Sequence, residues 1–154
     1  MYGLFGRKIK SVADIQKLLK TEGHTKAGDV LRSEADKGNH ICQIFLSQMY
    51  LGMMDRENNG VILRDLTRYF VKYSEMAAQQ GDSGTQYNLA KHLMNVASAD
   101  IRTGNGKLSE SGRDTLRESK RYLILAVEQD LEEAKEALSN LNELFDWAES
   151  QEYV

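Results

Sequence analysis

The chain has 154 residues, enough for one domain with a substantial core, and its 41% hydrophobic and 28% charged content excludes a disordered polypeptide. It contains no proline and a single cysteine, Cys42, which argues against a loop-rich or sheet fold, rules out an internal disulfide and fits a reducing compartment. The net charge of −3 is uneven: residues 1–32 carry seven Lys/Arg against three Asp/Glu, and residues 127–154 one Lys against nine Asp/Glu, which argues against a basic surface for nucleic acid.

Apolar residues recur at helical spacing in seven stripes. Val12, Ile15, Leu18 and Leu19 form the first, and Ala27, Val30 and Leu31 begin the second. Ile41, Ile44, Phe45, Met49 and 51–54 form a strongly apolar third, and Leu66, Tyr69, Phe70, Tyr73, Met76 and Ala77 the fourth. Leu89, Leu93 and Val96 follow, then Leu116, Leu123 and Val127, then Leu131, Ala134, Leu138, Leu141, Leu144 and Phe145. Gly23, Gly38, Asn59-Gly60, Gly81 and Gly104-Asn105-Gly106 separate the stripes, as expected of residues that end helices. The expectation is an all-α fold of about seven helices in antiparallel hairpins, with 53–59 and 97–112 as its longer linkers.

The chain also resembles itself. An offset of 49 pairs Arg64-Asp65 with Arg113-Asp114, Tyr73 with Tyr122, Ala77 with Ala126, Gln80 with Gln129 and Leu89 with Leu138. An offset of 43 pairs Ala35 with Ala78, Gly38 with Gly81 and Leu46 with Leu89. The matches sort by role: glycine at turns, small residues at crossings, Leu or Tyr at packing positions. One hairpin cannot bury its own apolar face, so stacked units give an α-α superhelix, or solenoid.

The words GV…D…Y…AA–GD…QYNLA, from Gly60-Val61 through Asp65, Tyr73, Ala77-Ala78, Gly81-Asp82 and Gln86 to Ala90, resemble the Sel-one-like repeat, a relative of the tetratricopeptide repeat. Ala35, Gly38, Leu46, Tyr50 and Gly52 resemble the second half of an earlier copy, and Asp114, Tyr122, Ala126, Ala134 and Leu138 a third. Cys42 and Thr85 stand where that family prefers alanine, and Asp130 where it has its turn glycine. The expected organisation is a single domain over 1–154, with repeats at 27–60, 61–103 and 104–148; the sequence leaves open whether 1–11 is ordered. The resemblance implies a right-handed solenoid acting as adaptor or scaffold. It also implies groove-facing positions at Ile44 and Gln48, Tyr87 and Lys91, and Glu136 and Asn140, with Leu51, Met94 and Glu143 one turn later. Packing of Ile44 and Tyr87 between repeats is the alternative.

Catalysis is not expected. His24, His40 and His92 form no H-x-x-x-H or H-x-x-E pair, and Cys42 in its apolar stripe reads as an inert thiol. Asp55, Glu57, Asn59 and Gly60 imitate half a calcium loop, but Leu66 replaces the bidentate glutamate, leaving a helix-connecting turn. Gly104-Asn105-Gly106-Lys107 lacks the spacing of a phosphate loop and reads as a flexible linker. No apolar run has membrane-spanning length, and 1–10 lacks the stretch of a secretory signal, so the expected location is cytoplasmic. The expected function is a non-enzymatic module without cofactor or metal that binds another protein or peptide, not nucleic acid or membrane. A small immunity or inhibitor protein is the alternative, its acidic C-terminal helix entering a basic site.

Overall fold

The computed structural model describes residues 9–104 and 106–152. Among them lie six α-helices and no strand: α1 Val12–Asp36, α2 His40–Arg56, α3 Gly60–Gln79, α4 Ser83–Thr103, α5 Glu110–Glu128 and α6 Glu132–Glu152. The all-α expectation holds, with six helices where seven were expected. The first two stripes share α1, which continues through a bend at Gly23, whose φ of +80° is non-helical. Glycine takes that conformation without a Cβ clash, so 12–22 and 24–36 change direction there without a separating loop. The expected linkers shrink too, because α2 runs on to Arg56 and α4 to Thr103.

Helix starts are set by side-chain caps. Ser11, Asn39, Asn59, Asp82 and Ser109 each accept a hydrogen bond from a backbone N–H of the first turn that follows. Such caps satisfy donors that have no partner within the helix.

By contacts the chain groups into two compact units, Met1–Gln80 and Gly81–Val154. In the first, α2 packs against both α1 and α3. That is why its apolar residues are spread around the helix, whereas α3 has one apolar face. Ile15, Leu31, Leu46, Phe70 and Tyr73 are the largest fully buried apolar side chains of this core, and Cys42 is buried with them. The Tyr50 ring stacks on Tyr69 at 5.1 Å and on Tyr73 at 6.2 Å, and its hydroxyl accepts from Arg32. Residues 1–8 of the 1–11 segment lie outside the described residues. Ile9 is buried in this core, and its carbonyl accepts from Asn39 Nδ2.

In the second unit α5 packs against α4 and α6, with Leu89, Leu116, Tyr122, Leu123, Ala134 and Leu141 buried. The internal repeat has a structural counterpart in each unit. Gln80 Nε2, at the end of α3, donates to Gln43 Oε1 at the start of α2, and Gln129 Nε2, at the end of α5, donates to Gln86 Oε1 at the start of α4. Each bond joins opposite ends of paired helices, as an antiparallel arrangement requires. Tyr73 and Tyr122, paired by the offset of 49, are both buried beneath a cation, Lys72 at 5.0 Å and Arg121 at 4.3 Å.

The turns after α1 and α5 match as well. Asn39 N–H reaches Glu34 C=O and Gly38 N–H reaches Ala35 C=O; Leu131 N–H reaches Ala126 C=O and Asp130 N–H reaches Val127 C=O. This is the Schellman arrangement, whose pivotal residue takes positive φ. Gly38 has φ +105° and Asp130 has φ +61°, so Asp130 takes in the second turn the positive-φ position that Gly38 takes in the first.

Candidate functional site

In the second unit α4 and α6 each pack on α5 but touch one another only lightly. An open cleft of about 340 Å³ lies between them. Helical spacing aims one row of side chains at it from each wall. Tyr87, Lys91, Met94 and Asn95 come from α4, and Glu133, Glu136, Ala137 and Asn140 from α6.

Tyr87 and Met94 are half-buried, whereas Lys91, Asn95, Glu133, Glu136 and Asn140 are exposed. The Lys91 ammonium lies 5.2 Å from the centre of the Tyr87 ring. Glu132, beside the cleft, is engaged by Lys135 at 2.7 Å. Among the described residues Glu133, Glu136, Asn95 and Asn140 have no ion-pair or hydrogen-bond partner, so the polar groups of the cleft remain available to a ligand.

Five of the nine groove positions expected from the sequence, those one turn later included, therefore meet in one place, Tyr87, Lys91, Met94, Glu136 and Asn140, while Leu51 and Glu143 do not line it. Ile44 and Gln48 lie on α2 in the first unit, the former half-buried and the latter exposed, and neither lines this cleft. Asn95, Glu133 and Ala137 line it but were not expected. Their signal was the helical neighbourhood, one turn or one residue from Lys91 and Glu136. Exposed apolar side chains also went unremarked at the α2–α3 end, where Val61 is 66% and Ile62 47% accessible.

Elsewhere the reactive groups are quiet. Burial pushes the Cys42 thiol up to about 12, which suppresses the thiolate. Burial also holds the His92 imidazole below its usual range. His24 is exposed, and His40 opens α2 with its Nδ1 buried and unpartnered among the described residues. No described group of three or more His, Cys, Asp and Glu is placed to hold a metal ion.

The turn at 57–59 is built by Glu57 Oε1, which accepts from Asn58 and Asn59 N–H, and by the Asn59 cap. Asn105 lies outside the described residues, so that part of the 104–107 reading does too. The linker around it is tied at its base, since Asp100 Oδ2 accepts from both Ser109 N–H and Ser109 Oγ. No described helix is long and apolar enough to cross a membrane.

No family model, curated protein or solved structure matches the chain. The repeat resemblance thus rests on the residues quoted for it alone.

Proposed function

We propose that the protein is a non-enzymatic binding module that holds a segment of another protein in the cleft between α4 and α6. The observation that carries this reading is the convergence of Tyr87, Lys91, Met94, Glu136 and Asn140 on one cleft whose carboxylates and amides have no partner among the described residues. The half-buried aromatic and thioether supply an anchor, and the polar groups form a rim, which is the usual anatomy of a protein-binding patch. The Sel-one-like resemblance, with its adaptor role and solenoid geometry, points the same way.

An immunity or inhibitor role is the second reading. It is favoured by the exposed Glu133, Glu136, Glu143 and Asp146 on α6, which suit a basic active site. Such a protein would silence its partner's activity, whereas an adaptor would leave it intact. The test is affinity capture from source-cell lysate with the native chain and with Ala137→Trp, which fills the cleft, both shown to be equally helical. A defined protein retained by the native chain and lost with Ala137→Trp supports the cleft as the docking site. Equal retention by both overturns it.

A further inference from the structure

We propose that the α4/α6 cleft recognises an extended segment of the partner protein that presents a lysine or arginine side chain to Glu133 and Glu136; this rests on the binding-module reading above. The two carboxylates stand three residues apart on α6, so they share one face and reach the same cation. Neither is neutralised by another described residue, although Glu132 beside them is. The single cation of the cleft, Lys91, belongs to the opposite wall and lies over the Tyr87 ring. With two carboxylates against one ammonium, the lining carries a net charge of −1. A purely apolar segment would leave both carboxylates without a partner, and an acidic one would meet the single ammonium of Lys91 but face two like charges.

The occupant is a peptide and not a free polyamine because Asn95 and Asn140 face the cleft from opposite walls. A side-chain amide both donates and accepts, matching the N–H and C=O that each residue of an extended backbone offers. A volume of about 340 Å³ lies at the lower end of ligand-site sizes, suited to one basic side chain with its adjoining backbone and too small for a folded element.

The experiment is an amide-shift NMR titration of the whole chain with short glycine-serine-alanine peptides carrying central arginine, lysine, leucine or glutamate. The arginine and lysine peptides should perturb α4 and α6 and bind about tenfold more tightly than the leucine and glutamate peptides. Lys91→Glu should tighten the basic peptides further, and Glu133→Gln with Glu136→Gln should level the series. Equal binding of the leucine or glutamate peptide overturns the inference, as does spermidine displacing the arginine peptide at equal concentration. Capture that is lost with Ala137→Trp but indifferent to the double glutamine variant overturns this inference alone and leaves the binding-module reading standing.

Discussion

Ser47 and Ser74 face each other where α2 crosses α3, with their Oγ atoms 2.7 Å apart and both residues at most 1% accessible. The small side chains let the two helices approach, and the shared hydrogen bond satisfies two hydroxyls that water cannot reach. Replacing Ser47 with Ala leaves the Ser74 hydroxyl without that partner in a dry crossing, and a buried unsatisfied group costs about 1–3 kcal/mol. The hydroxyl can fall back on the carbonyl four residues earlier in its own helix, which places the cost near the lower end, about 1–2 kcal/mol. In a chain of this length each kcal/mol lowers Tm by roughly 2–4 °C, so either single variant should melt roughly 2–8 °C early. Ser47→Ala combined with Ser74→Ala removes both polar groups and should cost less than the sum of the singles, with a coupling of about 1 kcal/mol. Urea unfolding followed by far-ultraviolet circular dichroism measures all four corners of the cycle. Additivity within about 0.3 kcal/mol would show that the two hydroxyls do not depend on one another and would refute the packing argument.

The remaining predictions concern a thiol, two turns and an imidazole. Cys42, buried and pushed up to about 12, should stay unreactive toward iodoacetamide at pH 8 in the folded chain and react promptly in urea; fast native alkylation would contradict its burial. Asp130→Gly should raise stability by about 0.5 kcal/mol by relieving its positive φ, whereas Gly81→Ala at φ +99° should cost about 1 kcal/mol or more; the opposite signs would refute the turn assignment. Because burial lowers the His92 pKa from 6.5, the unfolded chain binds more protons below that pH and stability falls as pH drops. His92→Gln should therefore show a smaller loss of urea midpoint between pH 7.5 and 5.5 than the native chain, and an equal or larger loss would exclude the effect.

Much of this architecture was legible before any coordinates. Helical periodicity needs only the order of apolar and polar residues, so every stripe landed on a helix. Gly23 reads as a terminator, and its non-helical φ of +80° does break the helix; because helix resumes at His24 with no loop between, the two stripes run on as one kinked element. The ends of α2 and α4 fall within the expected linkers 53–59 and 97–112, although residues such as Asp100 and Arg102 are compatible with the last turn of a helix. Asn39, Asp82 and Ser109 were the better punctuation, since a cap names the first turn more narrowly than a nearby glycine does.

The candidate site was half legible for a similar reason. Positions such as Tyr87 and Lys91 were expected only through the geometry that the repeat resemblance implies. The cleft itself exists because α4 and α6, separated in sequence by α5, both lean on it, and no local pattern reports that pairing. Glu133 and Ala137 became visible only once α6 was seen as the facing wall.

The most direct measurement is amide hydrogen exchange on the complex with whichever protein the native chain retains. Slowed exchange, or broadening of exposed side-chain amides, confined to α4 around Tyr87–Asn95 and α6 around Glu133–Asn140 is the outcome the account predicts. Protection centred on α1 or on the exposed start of α3, with α4 and α6 unchanged, would contradict it.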